Sequence, residues 1–329
     1  MGGAFLSRPG APRDEGLRAV RRALELGVNY IDTARSYVNS EEVIGEALAG
    51  IPEDRRPYIA TKVGKWPQPF DPKDRTMLRR SVAESLRVLG QRSVAGLFVH
   101  EPDRPAQVDW WDDDERAEGP VFDVLEDLRA AGTIGFTGLA GTTAYELARR
   151  AATGRFDVVL TTFNYSLLWR EAEHSVLPAA DQHNMGIVVG TPLQQSALAQ
   201  RYDAELETAT WLNPPRKRQY QELYALLDDL HTPIYELALR WVISNPRVST
   251  VIAGARSVGE VEANVEAVEK GALEPSVLRD LDRIAALVPF RPFEEPSGAF
   301  GLPFGRPYRG PGALFGTGPG SEPAVGDKK

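Results

Sequence analysis

Residues 27–48 read GVNYIDTARSYVNSEEVIGEAL, and they decide the fold. Gly27 suits the left-handed conformation that closes a helix. Tyr30, Ile31 and Asp32 form a short strand-like run. Asn39 and Ser40 stand before Glu41 and Glu42, so a helix restarts there with a cap and acids in its first turn. This helix end, strand, turn and new helix place Asp32 and Tyr37 where a strand gives way to a loop. In β/α proteins chemistry collects at such ends.

The same unit recurs outward. Helical periodicity predicts helices over 13–26, 40–49, 76–89, 121–131, 143–153, 171–184, 219–230, 234–245, 258–268 and 275–287. Strands are predicted over 30–32, 58–62, 94–99, 134–139, 158–162, 186–189 and 249–253. Strands alternate with helices without a mid-chain break, which argues for one parallel sheet with helical crossovers. No Gly-x-Gly-x-x-Gly follows a strand, so an open dinucleotide-binding sheet loses its main signal. The fold class is α/β, a (β/α)8 TIM-type barrel, with only seven strands in view and the place of the missing one expected before Met1. Residues 1–290 form the single barrel domain. Residues 291–329 form a Gly/Pro-rich tail, with a lid built from Phe304, Tyr308 and Phe315 as the lesser alternative.

Composition narrows the function. The chain has 329 residues and a formal charge of −8, without a basic run, which argues against nucleic acid. Cysteine is absent, which removes disulfides and thiolate chemistry. No apolar run reaches the roughly 20 residues of a membrane span, and no leader pattern opens the chain, so the expected location is cytoplasmic. His174, His183 and His231 show no metal-ligand spacing, so no metal is predicted. No feature sets an oligomeric state.

Asp32 and Tyr37, Lys62 and His100 lie at or just after three successive strand ends. Singly, each has a plain reading: a turn cap, a packed aromatic, a salt bridge, a turn residue. Together on one barrel face they suggest proton transfer to a carbonyl oxygen. A free phenol titrates at ~10. A neighbouring ammonium from Lys62 favours the phenolate, Asp32 would hold that ammonium charged, and His100 could donate a hydrogen bond to the same oxygen.

With these residues, the segments YIATKVGKW, LFVHEPD, FNYSLL, GTPLQQSALAQRY and ALRWVISNPRVSTVIAGARSVGEVEANV follow in order. Over residues 19–287 the chain resembles the aldo-keto reductases, in feel nearest the aldose and galactose dehydrogenases and general bacterial members. The resemblance implies a barrel that binds NADP(H) or NAD(H) and interconverts carbonyls and alcohols. It implies a catalytic tetrad of Asp32, Tyr37, Lys62 and His100. It also implies cofactor contacts: Tyr165 stacked on the nicotinamide; Thr191, Pro192, Leu193, Gln195 and Arg201 over the pyrophosphate; Ile252, Gly254, Arg256, Glu260 and Asn264 around the adenosine.

Several positions depart from the family pattern. Ala140-Gly141 stands where many relatives place Ser-Asn to grip the carboxamide, and Thr162 stands for a Gln. Backbone, water or Asn164 would then hold the carboxamide. Glu260 would repel a 2′-phosphate, whereas Arg256 suits one, and the balance leans slightly to NADP(H) over NAD(H). The N-terminal hairpin and first strand are not seen, and MGGAF matches only the turn that follows them. A barrel lacking that strand would expose two edges. Trp66, Trp110, Trp111, Phe163 and Trp169 are candidates for the mouth of a pocket taking a small carbonyl or sugar. The Asp112–Glu115 acidic run reads as a solvated loop. The alternative function is a catalytically impaired cofactor-binding regulatory or partner-binding subunit.

Overall fold

The computed structural model describes residues 1–6, 12–104, 108–208 and 213–289, without the side chains of residues 5, 195 and 205. The tail from residue 291, its aromatic lid and the Gln195 side chain lie outside the described residues.

Among the described residues seven strands pair in chain order, all parallel: β1 Tyr30–Asp32, β2 Tyr58–Val63, β3 Val94–His100, β4 Ile134–Gly141, β5 Val158–Thr162, β6 Gly186–Gly190 and β7 Thr250–Ile252. Around them run α1 Arg13–Glu25, α2 Ser40–Leu48, α3 Arg75–Leu89, α4 Pro120–Ala130, α5 Ala144–Ala151, α6 Val176–Gln182, α7 Asp203–Thr208, α8 Pro214–Leu230, α9 Ile234–Ile243, α10 Val258–Glu269 and α11 Pro275–Ala286. The result is a nearly closed barrel. Gly2 makes parallel bridges to Asp32 at the end of β1 and to Gly254 beyond β7. Its N–H donates to Ala253 O at 2.9 Å, and Asp32 N–H donates to Met1 O at 3.0 Å. The outer ring also closes there, where Arg22 of α1 pairs with Glu262 of α10 at 2.8 Å. Between those elements lies a largely apolar groove of about 520 Å³ whose walls include Met1, Tyr30, Val251 and Val265.

Side chains alternate across a strand, so every second residue enters the barrel. One layer of the interior is Ala60, Phe98, Ala140, Leu160, Val188 and Ile252, with Tyr30 against it. Phe98 is the bulkiest of those six. A Cβ on Gly138 would lie 2.4 Å from its ring, which is why β4 carries glycine there. Two residues further along β1, β2, β3 and β5, the same inward face presents Asp32, Lys62, His100 and Thr162. A polar layer therefore caps an apolar one.

Some predicted boundaries move for local reasons. The helix expected over 171–184 splits at Ser175 into a 3-10 turn, Glu171–His174, and α6. The helix expected from 219 begins at Pro214, since proline fits the first turn and Asn213 caps it through Arg216 N–H. Among the described residues, no helix is long and apolar enough to cross a membrane.

Candidate active site

Asp32, Lys62 and His100 are the inward-facing residues at the ends of β1, β2 and β3. Tyr37 comes from the loop before α2. That loop is pinned from both sides. Buried Arg35 pairs with Glu41 at 3.1 Å and Glu42 at 2.5 Å. Glu41 in turn accepts from Thr61 Oγ1 at 2.6 Å, tying the loop to β2. Thr33 Oγ1 and Ser40 Oγ share a hydrogen bond at 2.9 Å. Arg35, Glu41 and Ser40 did not stand out in the sequence, because charges at a helix start look like ordinary capping.

The four residues converge as expected. Lys62 Nζ donates to Asp32 Oδ1 at 2.6 Å and to Thr33 O at 2.8 Å, and it also hydrogen-bonds Tyr37. An ammonium has three donors, and these contacts use them all. It lies 4.8 Å from the centre of the Tyr37 ring. The His100 ring meets Tyr37 edge-on, with centres 5.6 Å apart. Ser36 Oγ lies 3.3 Å from His100 Nδ1. Asp32 Oδ2 is buried and has no hydrogen-bond partner among the described residues.

Burial governs the charges. It pushes the Asp32 carboxyl up, against the pull of Lys62. It works to discharge Lys62, but Asp32 and Tyr37 outweigh it and hold the ammonium above its ordinary range. It pushes the Tyr37 phenol up, with Lys62 opposing and Asp32 adding. This corrects the expectation of a lowered phenol: the lysine tempers the rise without reversing it. His100 is driven well below 6.5 by burial and then by Lys62 and Lys65, so its ring is neutral. The centre therefore holds a protonated phenol, a fixed cation and a neutral imidazole.

A cavity of about 360 Å³ opens above these groups, and its wall adds Ser36, Lys65, Glu101, Thr142, Thr162, Phe163 and Thr191. Lys65 and Glu101 form an ion pair on that wall. The sequence reading passed over both, since a charged loop residue is unremarkable until its direction is known.

Two expectations about aromatic residues are corrected. Tyr165 is in the core: its ring packs on Trp241 at 4.7 Å, and its hydroxyl accepts from Asn245 Nδ2 at 2.8 Å. The pocket-facing ring of that segment is Phe163, whose backbone is left-handed at φ 70°. Trp110, Trp111 and Trp169 are buried rather than at a mouth. The Trp110 ring fills the space beside Gly64, where a Cβ would meet it at 2.8 Å. Trp66 sits off the pocket under Arg35, at 5.8 Å. The acidic loop is not simply solvated, because Asp114 accepts from the buried Arg150 guanidinium at 2.5 Å.

The other expected cofactor residues form two groups. Thr191 is on the pocket wall, with left-handed backbone at Thr191, Gln194 and Ser196 turning the segment after β6. Pro192 is buried and Leu193 packs on the core. Gln194, missed in favour of its neighbour, donates through Nε2 to Phe163 O at 3.1 Å and leaves a buried Oε1 without a partner among the described residues. Arg201 is already held by Asp203 and Asp228 and lies over Tyr224. Around the start of α10, Asn264 Nδ2 reaches Gly254 O at 3.5 Å. Arg256 N–H donates to Glu260 Oε2 at 2.7 Å, and its guanidinium lies 3.6 Å from Oε1. Ser257 caps this helix. Ile252 points into the barrel, so its side chain is excluded from a cofactor contact. Asn164 is buried on Thr161 and is not a pocket-wall group.

Gly141 has a structural cause. The Asp103 carboxylate accepts from the N–H groups of Thr142 at 2.7 Å and Thr143 at 2.5 Å, at the start of α5. A Cβ on Gly141 would lie 2.7 Å from it. A carboxamide-gripping Asn therefore has no room here.

The model of the Aldo/keto reductase family matches residues 1–286. L-galactose dehydrogenase of Arabidopsis thaliana is 28% identical over 294 residues, covering 87% of this chain and 88% of the relative. A probable voltage-gated potassium channel subunit beta of the same plant is 26% identical, covering 81% and 86%. Among solved structures, an aldo-keto reductase of Bacillus halodurans in its holo form aligns with a TM-score of 0.67 at 26% identity, covering 86% of this chain and 90% of that one.

Proposed function

The chain belongs to the aldo/keto reductase family, and from that premise we propose that it interconverts a small aldehyde, ketone or aldose with its oxidised or reduced partner, using NADP(H). When bound, the nicotinamide would supply or accept the hydride. The chain's own residues manage the proton. In reduction the carbonyl oxygen lies between Tyr37 and His100, and Tyr37 gives its proton. Lys62, hydrogen-bonded to that hydroxyl, stabilises the phenolate left behind. Asp32 keeps Lys62 charged and fixed. With Ser36 donating to Nδ1, His100 carries its proton on Nε2 and can donate to the same oxygen. The observation that carries this reading is the Lys62 ammonium held between Asp32, Thr33 O and Tyr37.

The site suits such a cofactor. Thr142 and Thr162 offer hydroxyls on the pocket wall in place of the absent Ser-Asn and Gln, and Phe163 offers a ring. Gln194 Oε1, without a partner among the described residues, lies on the segment that would pass over the phosphates. The capped start of α10, with exposed Arg256 beside it, suits a 2′-phosphate. Glu260 turns its carboxylate onto Arg256, which lessens its repulsion and favours NADP(H) over NAD(H). A cofactor-binding subunit without turnover is not favoured, since the whole tetrad is assembled and hydrogen-bonded. Fluorescence titration with NADPH and NADH, followed by a panel of aldehydes, ketones and aldoses, tests the reading. Tighter NADPH binding and turnover of some panel members are expected. Binding without any turnover would overturn it.

A further inference from the structure

Most residues that line the pocket above the tetrad carry a polar group, and its wall holds a charged pair that the proton chemistry does not use. Lys65 follows Gly64 after β2, and Glu101 follows His100 at the end of β3. Both have left-handed backbone, at φ 62° and 54°, a conformation that L residues seldom adopt. The Glu101 N–H is locked to Ala140 O at 2.7 Å. Their side chains meet on the pocket wall as an ion pair, Lys65 31% and Glu101 18% exposed, so neither is packed away. The pair lies within electrostatic reach of the reacting centre: Lys65 helps to depress His100, and Glu101 helps to raise Tyr37.

An apolar substrate seated there would strip water from both charges and return nothing. Two adjacent hydroxyls would serve both. One donates to the Glu101 carboxylate, and its neighbour accepts from the Lys65 ammonium, each a charge-assisted hydrogen bond. Of the tryptophans that would have stacked on a planar aromatic substrate, Trp110, Trp111 and Trp169 are in the core and Trp66 lies off the pocket under Arg35. We propose that Lys65 and Glu101 form a subsite that reads a vicinal diol next to the reacting carbon, so that the preferred substrates are polyhydroxylated. This rests on the proposed reaction at Tyr37 and adds the specificity determinant.

The test compares two substrates on the same enzyme preparations, a free aldose and benzaldehyde, in wild type, Glu101→Gln, Lys65→Met and the double variant. Because both are read on one preparation, the ratio of their kcat/KM values does not depend on how much enzyme is folded. The ratio should fall about tenfold or more in each single variant, through KM of the aldose. The double variant should fall little further, because the two residues act as a unit. Equal losses on both substrates would overturn the proposal in favour of a structural role. So would better binding of a carboxylated aldehyde in Glu101→Gln, which would mark an anion site built on Lys65 alone. Wild-type enzyme that reduces benzaldehyde but turns over no aldose would overturn the diol subsite while leaving the Tyr37 reading intact. Turnover of both substrates by Tyr37→Phe would instead strike the reading beneath it.

Discussion

Replacing Lys62 by Met should cost both stability and rate, and the two costs should separate. Lys62 and Asp32 are buried together, and Asp32 Oδ2 has no partner among the described residues, so Lys62 is the principal compensation for that carboxylate. Removing one partner of such a pair costs about 3–5 kcal/mol. At roughly 2 °C per kcal/mol for a chain of this size, Tm should fall by about 6–10 °C. The stranded carboxylate can relieve itself by taking a proton, and burial already pushes it that way. In Lys62→Met its folded pKa is then raised above the unfolded value, so the unfolded state gives up its proton more readily as pH rises. The fall in Tm should therefore be larger at pH 8 than at pH 5. Adding Asp32→Asn removes the stranded charge and should restore at least half of the lost Tm. Activity should not follow, because Tyr37 has still lost its ammonium, and kcat should stay about 10²–10⁴ below wild type. Calorimetry or thermal fluorescence at the two pH values, with single-turnover carbonyl reduction, reads both. A Lys62→Met enzyme with wild-type Tm, or a double variant with wild-type rate, would refute the account of this pair.

The neutral His100 and the raised Tyr37 predict that kcat/KM for carbonyl reduction is level from about pH 6 to 9 and falls only above the ordinary phenol range of ~10; a limb titrating near 6.5 would show that His100 changes charge in the reaction. Gly141→Asn should displace Asp103 and release two charge-assisted hydrogen bonds, for about 2–4 kcal/mol and a Tm lower by about 4–8 °C. An unchanged Tm would mean that α5 does not depend on that cap. Phe163→Ala should weaken NADPH binding in a fluorescence titration by about tenfold, as loss of a ring face predicts, whereas Tyr165→Phe should leave it unchanged. The reverse pattern would put the cofactor ring on Tyr165 after all.

Positions along the chain were easier to read than directions. Asp32, Lys62 and His100 were legible because a parallel barrel brings its strand ends to one face and alternation fixes which residues point inward. Tyr165 was not, because the residue two before it, Phe163, takes a left-handed backbone that turns the segment: Phe163 then faces the pocket and Tyr165 the core. Trp110 and Trp111 sit among Pro and Asp in a stretch that reads as exposed. The Arg150–Asp114 latch folds that stretch back, and Gly64 leaves room for the Trp110 ring. Arg201 looked free for a phosphate until its two aspartates were placed beside it. The upward shift of Tyr37 was hidden too, since burial is a property of the packed molecule and only the nearby lysine could be guessed. The seven-strand count was legible; the bridging of β1 and β7 by Gly2 was not, because it depends on two single backbone hydrogen bonds.

The central claim is that Tyr37 carries the proton. Tyr37→Phe removes one oxygen from the centre and keeps the ring that packs on His100 and Lys62. Single-turnover reduction of an aldehyde by NADPH, measured beside NADPH binding by fluorescence, reads the claim directly. The account predicts an NADPH affinity within about twofold of wild type and hydride transfer slowed by 10²-fold or more. Hydride transfer at the wild-type rate in Tyr37→Phe, with the cofactor bound, would contradict it.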